Sequence, residues 1–404
     1  MKVFIAHPGT QYSYHLASQL ERLGMLYKYS TGFTIPEKGF LYKIYKLSPQ
    51  SIKQRVSGRI FKGVPPNKIN QNPLIDWFYY QRAKLSKSPE HIFYKRNKSF
   101  QLAISDETIK NADVVIGFDT SSWILAERCK KLGKKFILDV SIGHPNSKEI
   151  LYKKLAALYP QWVEHLTSKN KFLIDLERNE MELADKIVVP SEFVRETYIE
   201  NGISENKITI NPFGTNVSFF KPASKQIKRQ GVRYLFFGSL TARKGLPFLL
   251  ETWEDFYKNF PNTSLTIAGV GSLPINYRLP VGVQQIGKVV PDQRQELYSR
   301  ADVFVFPSFF EGLALVQIEA AACGLPIIGT KNSGATEIIT EGKEGFIIQQ
   351  GNKDQLYNAL KYFSQNPDAI ELMGRRACNK ANEYFSWNAY GNRWGDILSK
   401  VHYG

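Results

Sequence analysis

Two glutamates eight positions apart, Glu311 and Glu319, are the residues best suited to chemistry in this chain of 404 residues. At about 1.5 Å of helical rise per residue they would lie roughly 12 Å apart. That is close to the span from the sugar to the ribose of a nucleotide-sugar. Between them the unpaired first-turn N–H groups of a helix, at Leu313, Ala314 and Leu315, would meet a diphosphate. A second basic constellation lies upstream in GSLTARKG, where Gly238 and Gly245 flank a loop presenting Arg243 and Lys244 just before a helix. Cations at a helix N-terminus suit the same diphosphate. Each pattern has a plainer explanation: the macrodipole favours Glu ahead of any helix, and a βα turn often exposes cations.

The elements that must position these groups follow from the pattern of residues. Val303–Phe306 is a short apolar strand, Pro307 and Ser308 turn the chain, and a helix runs from about Leu313 to Cys323 until Gly324 and Pro326 stop it. Further strands are expected at Val232–Phe237, Ser264–Ala268, Val283–Ile286, Pro326–Gly329 and Gly345–Ile348. Helices fall between them at about Pro247–Asn259, Asp292–Ser299 and Asp354–Gln365. In the first half, Lys2–Ala6, Val114–Phe118, Lys135–Val140 and Lys186–Val189 are strands, with helices at Tyr12–Leu23 and near Ser122–Leu132. Alternation of this kind implies parallel α/β architecture, and the length implies two domains.

The succession of strand, Pro-Ser turn, Glu-Gly, small-residue helix and Gly-Leu-Pro stop resembles the retaining glycosyltransferases of family 4. The resemblance is specific from Lys186 to Gly351 and holds for the first domain in outline. It implies a GT-B fold, two Rossmann-like domains facing a cleft: 1–211 on the acceptor side, 212–385 for the donor nucleotide, and a terminal helix, 386–404, returning to the first domain. It further implies that Glu311 holds the sugar hydroxyls, that Glu319 binds the ribose, and that Lys244 matches the family lysine. Gly238 is the family glycine, but Ser239 stands where family members carry Arg, so Arg243 is the alternative guanidinium. Gly312, Leu313, Ala314 and Leu315 would cradle the donor. Gly269, in IAGVGS, and Val289, in IGKVV, would border the nucleotide. In HPGTQYS, Gly9 matches the first glycine of a family loop and Thr10 replaces the second. His144, past the strand KFILDV, falls where the family places a histidine near the transferred sugar, with Asp139 its competitor.

No Asp-x-Asp occurs, so the expectation is a metal-independent enzyme without cofactor, using a UDP-, GDP- or ADP-sugar and a surface-glycan or lipid-linked acceptor. Other GT-B activities, an epimerase or a phosphorylase, are the alternative. The formal charge of +16 is uneven: Lys38 to Lys98 holds fourteen Lys or Arg against Asp76 and Glu90, a local net of +12. Interleaved aromatics such as Trp77, Tyr79 and Tyr80 suit an anionic membrane surface. A nucleic-acid partner is the lesser reading, since no recognised module accompanies the charge. MKVFIAHPG is too short for a signal peptide, and three widely spaced cysteines build no disulfide framework. A cytoplasmic protein, peripheral on the inner face of the membrane, is the expectation.

Overall fold

The computed structural model describes residues 1–9, 12–37, 39–86, 89–223 and 231–403. Thr10, one residue of the first Gly-rich loop, lies outside them, as does Lys38. Two parallel sheets organise the chain. In the first, β1 (Val3–His7), β2 (Leu26–Thr31), β3 (Ile69–Gln71), β4 (Val114–Phe118), β5 (Lys135–Asp139), β6 (Lys186–Val189) and β7 (Ile208–Ile210) lie in the order 3-2-1-4-5-6-7. The second contains β8 (Arg233–Phe237), β9 (Ser264–Ala268), β10 (Val283–Ile286), β11 (Val303–Phe306), β12 (Ile327–Thr330) and β13 (Gly345–Ile348). Its order is 10-9-8-11-12-13.

Both orders reverse beside the first strand of the sheet, between β1 and β4 and between β8 and β11. Loops leaving the carboxyl ends there splay apart and leave a crevice. The central strands read as continuous apolar runs because helices cover both faces: Val303 to Phe306 and Val114 to Phe118 are buried throughout.

Several elements differ from the expectation. The helix after Glu311 is shorter, Leu315–Ala322, with Ala314 as its N-cap. The basic segment between Lys38 and Lys98 contributes β3 to the first sheet. It also forms the helices Phe40–Leu47, Gln50–Val56, Pro73–Leu85 and Pro89–Leu102. The strand β2 and the helix Pro367–Tyr384 were not foreseen. The last helix, Trp387–Tyr403, does return to the first sheet's side. It buries Tyr390 and Trp394 and packs on Ser13–Arg22, where Gly391 admits Gln19 so closely that a Cβ would come within 2.5 Å of it. His15 and Trp387 stack there at 3.7 Å.

Candidate functional site

Around Glu311 the geometry is set by backbone that only glycine permits. Gly245 has φ +76°, and a Cβ on it would lie 2.0 Å from the Pro307 carbonyl oxygen. This close approach brings the short turn Ala242–Lys244 against the loop after β11. The Phe309 N–H donates to the Arg243 carbonyl at 2.8 Å, and the Ser308 hydroxyl donates to the same carbonyl at 3.1 Å. Fixed in this way, Arg243 Nη1 donates to Glu311 Oε1 at 2.6 Å and to the Phe310 carbonyl at 2.6 Å. Lys244 Nζ pairs with the same Oε1. The carboxylate therefore carries two cations on one oxygen.

Burial pushes the Lys244 ammonium down from its ordinary pKa; the Glu311 charge opposes that shift and Arg243 reinforces it. The ring of Phe306 lies 5.2 Å from Nζ. A buried cluster of two positive charges against one negative charge has an unmatched positive charge available to an anion.

Glu319 is 5% exposed in the helix Leu315–Ala322. Arg294 Nη1 donates to Oε1 at 2.9 Å and the Tyr298 hydroxyl to Oε2 at 2.8 Å. Arg294 and Tyr298 stand four residues apart at one face of the helix Arg294–Ser299, the spacing that makes side chains neighbours. Burial raises the Glu319 pKa, and the Arg294 charge and the Tyr298 hydroxyl hold it down. Two of about four lone-pair directions are thus occupied. Arg294 Nε is buried with no protein partner. Sequence reading missed Arg294 and Tyr298; their i, i+4 spacing was the available signal.

The roughly 12 Å helical span between the two glutamates is corrected by the later helix start. Only Leu315 to Glu319 is helical, a rise of about 6 Å; the rest is loop. Of the three N–H groups expected to meet a phosphate, that of Ala314 is taken by the Ser333 carbonyl at 3.2 Å. Leu313 precedes the helix and is buried.

Gly238 and Gly269 meet back to back. Gly269 has φ +138°, and a Cβ there would lie 1.8 Å from the Gly238 carbonyl oxygen. The neighbouring Ser239 is half-buried and accepts the Thr241 N–H at 2.9 Å. Val289 is half-buried against the second core. Gly9 is held by His7, whose Nδ1 lies 3.0 Å from the Gly9 nitrogen and 2.7 Å from its oxygen.

His144 is 3% exposed, and its ring meets Tyr198 edge-on at 5.4 Å. Its Nδ1 accepts the Asn146 N–H at 3.3 Å, capping the helix Pro145–Leu158. Burial lowers its pKa to about 4. The ring is therefore neutral and engaged within the first unit. The residues of that helix that sense the Glu311 cluster are instead Lys148, whose pKa burial and nearby Lys169 and Arg243 lower, and Tyr152. Asp139 is 2% exposed, its pKa pushed well up by burial and by Asp119.

The Glu311 loop also touches the first unit. Gly312 lies so close to Ser141 that a Cβ would fall 1.8 Å from its carbonyl oxygen, and Gly143 faces the ring of Phe310. The Ser191 hydroxyl donates to the Gly312 carbonyl at 2.6 Å, and the Glu192 N–H to Glu337 at 2.7 Å. A cavity of about 190 Å³ opens beside this junction, lined by Asp119, Ser141, Gly143, Lys148, Glu149 and Lys169 among others. Among the described residues, no group of three His, Cys, Asp or Glu is arranged to hold a metal ion.

Residues 218–382 match the family model of the glycosyl transferases group 1. An uncharacterized glycosyltransferase of Haemophilus influenzae is 28% identical over 206 residues, 50% of this chain and 57% of that protein. A GDP-mannose-dependent alpha-(1-6)-phosphatidylinositol monomannoside mannosyltransferase of Mycolicibacterium smegmatis is 25% identical over 238 residues, 54% of this chain and 62% of that protein. The chain thus spans less than two thirds of the length of these relatives. In fold, it superposes on Anabaena Alr3699/HepE, solved with UDP and glucose, with a TM-score of 0.63. That match covers 99% of this chain and 100% of the other at 12% identity. The two-sheet arrangement is the GT-B fold.

Proposed function

We infer that this chain is a retaining glycosyltransferase that moves a hexose-type sugar from a nucleotide-diphosphate sugar to a glycan or lipid-linked acceptor. The observation that carries this reading is the convergence of Arg243 and Lys244 on one oxygen of Glu311. That cluster stands beside the helix of Glu319 and across from the first unit's cavity. In this reading Lys244 and Arg243 neutralise the departing diphosphate, metal-free, with helix N–H groups assisting. Glu311 accepts sugar hydroxyls and stabilises positive charge at the anomeric carbon. A leaving phosphate oxygen takes the acceptor's proton on the same face, so configuration is retained. Glu319 accepts the ribose hydroxyls through the lone pairs left free by Arg294 and Tyr298. Gly238, Ser239, Gly269 and Val289 shape the rest of the donor seat, and the first unit receives the acceptor.

The nucleobase is tested by thermal shift with UDP-, GDP- and ADP-sugars. A donor at a hundred times its Kd stabilises the fold by about 2.7 kcal/mol. Failure of all three to stabilise the protein would remove the donor site. Product NMR then reads the anomeric configuration, and turnover unchanged in EDTA is expected. Conversion of donor without acceptor would favour an epimerase.

The acceptor reading extends to a membrane surface. Phe40, Ile44 and Leu47 recur at helical spacing on Phe40–Leu47 and are all exposed, Leu47 by 89%. Trp77 and Tyr80 are exposed as well, whereas Tyr79 is bonded inward to Ser99 at 2.9 Å. Such an apolar stripe among lysines suits anionic headgroups, each cation adding about 1 kcal/mol. The side chain of Arg55 lies outside the described residues. No described helix is long and apolar enough to cross a membrane. The protein is expected to sediment with anionic liposomes at low salt and less as salt rises. Neutralising Lys43, Lys46, Lys53 and Arg55 together should abolish sedimentation and leave donor affinity intact. Equal sedimentation with neutral vesicles, or none with either, would end this part of the reading.

A further inference from the structure

A second cavity, of about 160 Å³, adjoins the one beside Glu311 and shares Thr120, Lys169 and Glu177 with it. Its other walls are Phe93, Tyr94, Trp123, Leu173 and Leu176, with Glu90 and Asn97 at polar points. Tyr94 and Trp123 stack at 5.5 Å with planes 13° apart, and Phe172 meets Tyr94 edge-on at 5.4 Å. The inner chamber is different in kind. It holds Asp119, Ser141, Lys148 and Glu149, groups that donate to or accept from hydroxyls.

The neck between the chambers is built under strain. Thr120 has φ +69°, an unusual conformation for a β-branched residue. Two buried groups keep it there. Glu180 Oε2 accepts the Thr120 N–H at 3.0 Å, and the Asn97 side-chain amide donates to its carbonyl at 2.9 Å. Glu180 is fully buried and also accepts the Ser122 N–H. Strain of this kind persists where surrounding structure over-determines it, and it clusters at ligand sites. Lys169 and Glu177 pair across the same neck. The site also lies at the carboxyl end of β4, beside the reversal of strand order, where α/β sheets place ligands.

We propose that these joined chambers bind an acceptor of at least two sugar rings, the terminal ring in the inner chamber and the next ring in the outer one. The proposal rests on the glycosyltransferase reading and names the acceptor class for it. Carbohydrate is the occupant because both chambers mix acceptors for hydroxyls with other surfaces, and because the outer one offers aromatic walls to the C–H faces of a pyranose. An alkyl chain has no use for Glu90 or for the Lys169–Glu177 pair at the neck. Each chamber far exceeds the roughly 10–15 Å³ that one water needs. The inner chamber delivers its ring beside Ser141 and Gly143, the backbone that Gly312 and Phe310 of the Glu311 loop touch.

The test uses the full chain and calorimetry. Glucose, galactose, mannose and N-acetylglucosamine are each compared with a disaccharide ending in the same sugar, and octyl glucoside is included. At least one disaccharide should bind about tenfold tighter than its monosaccharide, the gain expected from one aromatic contact and one hydrogen bond. Tyr94→Ala should remove that gain and leave the monosaccharide affinity unchanged. Leu173→Ala, in the same chamber, is the second variant should Tyr94→Ala fail to fold. Disaccharides no tighter than monosaccharides, no saccharide binding at all, equal losses for both in Tyr94→Ala, or octyl glucoside outbinding every disaccharide would each overturn the proposal. UDP, GDP and ADP binding is measured alongside. Loss of nucleotide binding in the wild-type chain would strike the donor reading alone, whereas failure of the saccharide series with nucleotide binding intact strikes this proposal alone.

Discussion

Lys244→Ala is expected to lower turnover by about 10²–10³-fold, the usual effect of removing one pre-placed donor from developing negative charge. Nucleotide affinity should change far less, because Arg243 still holds Glu311 from the other side at 2.6 Å. Folding should survive for the same reason: the carboxylate keeps a partner. Arg243→Ala additionally releases the Phe310 carbonyl and is expected to disturb the loop itself. Steady-state kinetics on both variants decide the order. Near-normal turnover in Lys244→Ala beside a dead Arg243→Ala would assign the leaving-group charge to Arg243.

Glu319 calls for two substitutions rather than one. Its carboxylate satisfies both Arg294 and Tyr298, so Glu319→Ala leaves a cation and a hydroxyl without their partner. Removing half of a buried pair costs about 3–5 kcal/mol, and Arg294, one third exposed, can recover part of that through water. Glu319→Ala is therefore expected to be destabilised as well as weak in nucleotide binding. Glu319→Gln keeps the volume and one acceptor. Each hydrogen bond donated to a charged acceptor is worth about 1.5–3 kcal/mol, so this variant should fold and bind nucleotide at least tenfold more weakly. A Gln variant with wild-type affinity in calorimetry would take Glu319 out of the ribose site.

The second sheet was largely legible in the sequence, and the reason is physical. Its central strand Val303–Phe306 is short, buried throughout and closed by Pro307, and Ser264–Ala268 and Gly345–Ile348 are mostly apolar with a Gly at one end, so these read directly; the edge strand Val283–Ile286 is more polar and exposed. The helix Leu315–Ala322 was misjudged by two residues because Leu313 and Ala314 are as apolar as a helix face yet pack in the loop. The strand Leu26–Thr31 escaped notice because LYKYST lacks a continuous apolar run. Glu311 was visible through its neighbours Gly312 and Pro307. Its sharing by Arg243 and Lys244 was not, because it depends on Gly245 touching a backbone that lies sixty-two residues further on. Arg294, Thr120 and Trp123 were unremarkable in one dimension; only the fold brings them to a carboxylate or a cavity wall.

The contact of Gly312 with Ser141 and Ser191 has a thermodynamic consequence. The loop that carries Glu311 belongs by sequence to one half of the molecule and by contact to both. A ligand of one half that binds better when the halves are apposed would raise the affinity of a ligand of the other half that does the same. Linkage then requires reciprocity: the factor by which bound donor changes acceptor affinity is the factor by which bound acceptor changes donor affinity. On the proposed function, donor and acceptor would then be coupled through a backbone contact too close to admit a methyl group.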